Sequence, residues 1–197
     1  VAVKSALLAF MDESESTPRT GPDTYILAVT LVTAALLEPV REAILSLRAP
    51  GQRKLHWHGE SARRRGAVID RIASLPVRHV IVVREGLPGE PSERRRRKCL
   101  ARVVWELDQR GVTRLVAESR ETKQNGRDVK ALDYLRSSGT VCSALRLFHA
   151  PGPREPALWA ADCVAGAVAA ARSGRGCYFD ALRHRADVIR MKAGCAG

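Results

Sequence analysis

Three acidic positions stand where a folded core should not tolerate them. Asp12 and Glu13 close the apolar run Ser5-Ala6-Leu7-Leu8-Ala9-Phe10-Met11, and Glu118 closes a second, Leu115-Val116-Ala117. Asp162 is the only charge between Ala157 and Ala171, in a segment that reads as a buried helix. An unpaired buried carboxylate is strongly destabilising or takes up a proton, so such groups persist where they are paired or bind a cation. Acids at two strand ends and on one core helix suit a hard divalent cation, Mg2+ or Mn2+, which takes carboxylate oxygens and keeps several waters. Two such ions can activate a water and stabilise the leaving oxygen in phosphodiester cleavage. Asp12, Glu118 and Asp162 are the candidate metal ligands, with Glu13 as a further ligand or water-orienting group. Adjacent strand residues point to opposite faces, which favours Asp12 over Glu13 unless the strand has ended. Glu118 has an alternative role as the partner of one of the many arginines.

A second constellation is Leu55-His56-Trp57-His58-Gly59-Glu60. In an extended segment His56 and His58 share a face, with Glu60 beyond. Such a set can bind zinc or manganese, or act as general acid and base, and His56 joins the candidate catalytic group. Asp128 reads as a helix cap, whereas the direction of Asp133 is open. His79, His149 and His184 have no partner pattern and read as structural. The chain lacks a P-loop, G-x-G-x-x-G, G-x-S-x-G and H-E-x-x-H, which removes most support for ATP hydrolysis, dinucleotide redox and serine esterase chemistry.

Elements that could position these groups alternate along the chain. Strands are expected at Ala6–Asp12, Tyr25–Thr33, Val77–Val83, Val112–Ala117 and Val141–Phe148, and a short extra strand at Lys54–His58. Helices are expected over Leu37–Leu47, Glu60–Ser74, Ser92–Arg110, Lys130–Ser137 and Glu155–Arg172, the last with Pro156 in its first turn. Ser14 to Pro22 reads as a turn. This order predicts an α/β domain with a mixed sheet flanked by helices. Leu158, Asp162, Ala165 and Ala169 fall on one helical stripe, which would aim Asp162 at the strand ends.

The 197 residues fit one domain, 1–197, and carry 33 Lys and Arg against 21 Asp and Glu, a net charge of +12. Arg63 and Arg64, and the run Arg94-Arg95-Arg96-Arg97-Lys98, are candidate contacts to nucleic acid, DNA or RNA, because a basic surface gains from counterion release. The competing reading is solvated helix faces. The three Phe and three Tyr disfavour a stacking platform for single strands. No apolar run is long enough to predict a membrane span, and the N-terminal stretch lacks a signal-peptide layout. Five scattered cysteines without a C-x-x-C pair fit a reducing, cytoplasmic setting. Oligomeric state has no signature here.

Taken together, Phe10-Met11-Asp12-Glu13-Ser14 resembles the opening Asp-Glu-Ser-Gly signature of domain-of-unknown-function family 3800. Pro156-Ala157-Leu158-Trp159-Ala160-Ala161-Asp162-Cys163-Val164-Ala165-Gly166-Ala167 resembles its closing helix, and Leu55-His56 its middle motif. The likeness runs from about Leu7 to Arg172. It implies a ribonuclease-H-like fold with a central mixed five-stranded sheet, and metal-dependent nuclease activity at Asp12, Glu118 and Asp162. The chain departs from the pattern at Glu15 in place of glycine, at Lys54 in place of an acid before Leu-His, and at Glu118 where aspartate is commoner. A nucleic-acid-binding module with a degenerate metal site, and a zinc or manganese hydrolase using His56, His58 and Glu60, are the alternatives.

Overall fold

The computed structural model describes residues 6–16, 24–87, 89–142 and 144–192. Its chain order is β1 (Leu7–Ser16), β2 (Thr24–Thr33), α1 (Leu37–Leu45), α2 (Ala62–Ser74), β3 (Arg78–Glu85), α3 (Ser92–Gln109), β4 (Arg114–Glu118), α4 (Thr122–Ser137), β5 (Arg146–Ala150), α5 (Pro156–Arg172), α6 (Cys177–Leu182) and β6 (Ala186–Met191). The six strands form one sheet in the order β5-β4-β1-β2-β3-β6. β2 runs antiparallel to β1 and β3, while β4 and β5 on one side and β6 on the other pair in parallel.

Both faces of the sheet are covered, so the central strands are apolar throughout and strand parity decides which layer each residue joins. Phe10, Ile26, Ala28, Ile81, Val83 and Val116 face a layer built from α1, α2, α5 and α6. Met11, Leu27, Val29, Val80, Val82 and Ala117 face α3 and α4. Helix α5 is buried without interruption from Ala157 to Val168, packed against β1 and β2 and covered by α1, α2 and α6. Its short side chains suit that sandwiched position, because small residues let neighbouring elements approach closely. At Gly166 any Cβ would lie 2.2 Å from Trp57 Cγ, so glycine is required there for Trp57 to pack.

Several expectations are corrected. The sheet has six strands and not five, because residues beyond Arg172 supply α6 and the edge strand β6. Residues 54–58 form no strand: the chain is irregular until a 3-10 turn at Trp57–Gly59. β1 does not end at Asp12 but stays paired with β2 as far as Ser16 opposite Thr24; the rest of the expected turn, residues 17–22, lies outside the described residues, as does Cys195. α4 begins at Thr122 and not Lys130, anchored by the buried Asp128 within it. β5 is shifted to Arg146–Ala150, since Val141 and Leu145 are buried from the loop that precedes it. The four described cysteines are free thiols. No helix among the described residues is long and apolar enough to cross a membrane.

Candidate functional site

The parallel register of β1 and β4 places Met11 beside Ala117, so Asp12 and Glu118 follow on adjacent strands. Strand parity turns both toward α5, where Asp162 sits in the second turn of the helix. The three acids, with Glu13, Lys54, His56, Ser119 and Arg120, line one open cavity of about 250 Å3. The three acids that the sequence singles out thus share one cavity, although only Glu118, and not Asp12, stands at the end of its strand.

Asp162 is only 7% exposed. Its Oδ2 accepts the Trp57 backbone N–H at 2.7 Å and lies 3.0 Å from His56 Nδ1. The segment expected as a strand is therefore a turn that docks on α5 and pins the carboxylate. That hydrogen bond, with the charge of Asp162, holds the half-exposed His56 imidazole above its ordinary pKa against the opposing effects of burial and Lys54. Asp12 accepts the Glu13 N–H at Oδ1, 2.8 Å away. Burial, and then the charges of Asp162 and Glu118, push the Asp12 carboxyl well above the usual carboxylate range.

Glu118 is bound to a cation of the chain itself. Lys54 Nζ donates to Glu118 Oε1 at 2.6 Å. Burial works to lower the Lys54 pKa, but the hydrogen bond and charge of Glu118, reinforced by Asp12 and Asp162, raise it. Gly152 makes room for this glutamate, since a Cβ there would meet Glu118 Oε1 at 2.2 Å; its carbonyl also accepts the Trp159 indole N–H at 2.7 Å. The role of Gly152 was not legible in the sequence.

Among the described residues no trio of His, Cys, Asp or Glu is arranged to hold a metal ion as it stands. The donor chemistry nevertheless fits a hard cation. No hydrogen bond reaches Asp12 Oδ2, Asp162 Oδ1 or Glu118 Oε2 from the described residues, and the charge repulsion felt by Asp12 is what a cation would relieve.

Other candidates are placed elsewhere. Glu13 lies at the edge of the cavity, but its carboxylate turns to the opposite face of the sheet, where it pairs with Arg96. Arg96 is 1% exposed and is shared with Asp128 at 2.8 Å, and Arg95, also buried, pairs with Glu15. Both are corrections to the expectation that the whole run Arg94–Lys98 faces a polyanion. Helical geometry turns them onto the stripe of Cys99, Leu100 and Val103 and leaves Arg94, Arg97 and Lys98 outside. Asp128 is not a cap; inside α4 it is held well below the usual carboxylate range, its burial outweighed by His149, Arg96 and Arg120. Asp133 pairs with Arg136 on the exposed side of α4. Arg64 is bound to Glu60 at 2.8 Å and to the Leu47 carbonyl, while Arg63 is exposed. The His56, His58 and Glu60 set is not brought together as a ligand set: the turn breaks the alternation, and both Glu60 oxygens are taken by Gln52 and Arg64.

No family model matches this chain, and no curated protein does. Solved structures do. A ribonuclease H2 from Pyrococcus horikoshii superposes with a TM-score of 0.55 at 10% identity, over 91% of this chain and 76% of that one. The complex of PCNA with ribonuclease HII from Archaeoglobus fulgidus gives a TM-score of 0.51 at 10% identity, over 91% and 77%. At that identity the likeness concerns the fold, which is ribonuclease-H-like.

Proposed function

We propose that this chain is a divalent-metal-dependent nuclease that hydrolyses phosphodiester bonds of DNA or RNA at the Asp12, Glu118 and Asp162 cavity. The observation that carries this reading is the convergence of three carboxylates, from the adjacent parallel strands β1 and β4 and a buried helix, on one open cavity in a protein of net charge +12. The ribonuclease-H-like fold supports it, as does the resemblance of the Asp12 and Asp162 segments to domain-of-unknown-function family 3800. Asp12 Oδ2, Asp162 Oδ1 and Glu118 Oε2 would hold the ion. A bound Mg2+ or Mn2+ supplies Lewis acidity at the phosphate and a more acidic water.

The chain's own groups do the rest. Asp162 is fixed by two hydrogen bonds from the 56–57 turn, so its free oxygen is positioned before any ligand arrives. His56, biased toward its protonated form by Asp162, is a group in the cavity that could donate a proton to the departing oxygen. Lys54 balances the acids until a cation arrives, then is free to meet a phosphate oxygen.

Calorimetric titration with Mn2+, Mg2+ and Zn2+ tests the assignment. The expected result is Mn2+ or Mg2+ binding that is lost in both Asp12→Ala and Asp162→Asn, with cleavage of an oligonucleotide lost alongside. Cleavage that survives Asp162→Asn undiminished would sink the site. The second reading, a nucleic-acid-binding module with a degenerate metal site, is favoured by Lys54 within the acid cluster. Oligonucleotide binding without any divalent-ion uptake, even with an uncleavable oligonucleotide present, would select it.

A further inference from the structure

On the sheet face away from Asp162, a groove of about 800 Å3 opens between α3 and α4. Arg94, Arg97 and Lys98 line it from α3, spaced by three and four residues on one helical stripe. Arg127, Lys130 and Tyr134 line it from α4 in the same manner. The two acids on its walls are already neutralised: Glu93 by Arg120 at 2.6 Å and Asp128 by Arg96 at 2.8 Å. Arg94 and Lys98 share the carboxylate of Glu90, at 3.5 and 3.3 Å, and Arg127 lies 3.5 Å from Glu93. Arg97 and Lys130 have no hydrogen bond or ion pair among the described residues.

Tyr134 is the most exposed of the large hydrophobic side chains among the described residues. It is 71% exposed, and its hydroxyl has no hydrogen-bond partner among the described residues. A ring left in water beside unspent cations gains little from folding, but it suits a base, which stacks on aromatic faces whatever its sequence.

We infer that this groove is a track for a single polynucleotide strand, its phosphates held by Arg97, Lys130 and their neighbours and one base stacked on Tyr134. Arg127 to Tyr134 spans about 10 Å of helix, the rise of roughly three stacked nucleotides. Guanidinium groups grip phosphate and carboxylate oxygens alike; the exposed ring of Tyr134 favours this occupant, because an acidic peptide would leave it idle. The groove and the candidate active site lie on opposite faces of the sheet and have Arg120 as a common neighbour. Arg120 lines the Asp12 cavity and also hydrogen-bonds Glu93 and Asp128, at 2.6 and 3.2 Å, which line the groove. The substrate class rests on the nuclease reading above; the groove itself does not.

The test is fluorescence anisotropy of the full chain with a labelled oligothymidylate, and separately with polyphosphate as competitor, in EDTA so that no cleavage occurs. The double reversal Arg97→Glu with Lys130→Glu should weaken both ligands at least about tenfold, since a phosphate that meets no cation keeps its counterions. Tyr134→Ala should weaken the oligonucleotide by about tenfold, as expected when one base is deprived of its stacking ring, and leave polyphosphate unchanged. A control reversal with the same net charge, Arg48→Glu with Arg78→Glu, should change little, and thermal unfolding checks that each variant is folded. The inference is overturned if the control weakens binding as much as the groove reversal does. Indifference of the oligonucleotide to Tyr134→Ala, or equally strong competition by an acidic peptide, overturns it too. A chain that never cleaves but shows the predicted pattern keeps the groove and loses the nuclease. One that cleaves through Asp12 without any Tyr134 dependence keeps the nuclease and loses the groove.

Discussion

Lys54 is the residue whose removal most directly probes the acid cluster, and Lys54→Met, of similar length but uncharged, is the substitution to make. Nζ stands 2.6 Å from Glu118 Oε1, with 26% of the lysine and 22% of the glutamate side chain exposed. At an effective dielectric of about 20 the gross attraction is roughly 6 kcal/mol. Desolvation and partial exposure remove most of that. Exposed pairs are worth about 0.2–1 kcal/mol, and breaking buried ones costs about 3–5. This half-buried pair falls between, at about 1–2 kcal/mol net. A divalent ion that uses Glu118 must overcome that amount, so Lys54→Met should tighten Mn2+ binding by about five- to thirtyfold. Without metal the same change should destabilise the protein at neutral pH, because Asp12, Glu118 and Asp162 lose the ammonium that offsets their repulsion. Calorimetry gives the affinity, and thermal unfolding with and without Mn2+ gives the stability. Added Mn2+ should restore more stability to the variant than it adds to the wild type. A variant that binds Mn2+ no better, or whose metal-free melting temperature is unchanged, would refute the idea that Lys54 stands in for a cation.

Other consequences are equally open to measurement. Arg96→Met should destabilise by about 3–5 kcal/mol, since it strips the buried Asp128 and Glu13 of their shared partner, while Arg97→Met stays within about 0.5 kcal/mol. Equal urea midpoints for the two would contradict their opposite orientations. Gly166→Ala should cost about 1–3 kcal/mol by overpacking, as its Cβ would lie 2.2 Å from Trp57; displacing Trp57 should also weaken Mn2+ binding, and unaltered metal affinity would separate the turn from the site. His79 is buried against Thr30 and pushed down from 6.5 to about 4, chiefly by burial. The folded state therefore binds fewer protons than the unfolded one between those values. The stability this provides is complete above about pH 6.5 and is lost as the pH falls toward 4. Between pH 7 and pH 5 the loss is about 2 kcal/mol, and His79→Gln should flatten the slope measured by urea denaturation at the two pH values.

The acids of the site were legible because each interrupts an apolar pattern that a buried element would otherwise complete. Asp12 and Glu118 follow strand residues, and Asp162 lies in a helix buried without a break on either side. Their costs are local, so sequence reasoning detects them. Their partners are not local: Lys54 meets Glu118 64 residues away, His56 meets Asp162 106 residues away, and Arg96 meets Glu13 83 residues away. No periodicity carries such pairings. The C-terminal strand β6 was missed for a different reason. It is a half-exposed edge whose residues Ala186–Met191 mix charges with Val188 and Ile189, which leaves no clean alternation to read.

The arginine run shows where a finer reading was available. Read as composition, Arg94–Lys98 is one basic patch. Read on a helix, Arg95 and Arg96 precede Cys99 and Leu100 by four residues and so share their buried face, while Arg94, Arg97 and Lys98 cannot. The structure separates them in this manner, and the separation has a functional consequence. The inward pair takes up Glu15, Glu13 and Asp128, acids that would otherwise project negative charge beside the groove. Of the outward cations, Arg97 is left without an opposing acid among the described residues, and Arg94 and Lys98 share the single carboxylate of Glu90. A protein of net charge +12 thus concentrates its positive potential through the placement of its buried ion pairs as much as through the number of its arginines. By the same logic, Arg96→Met should weaken polyanion binding although Arg96 itself is buried, because it uncovers two carboxylates near the track.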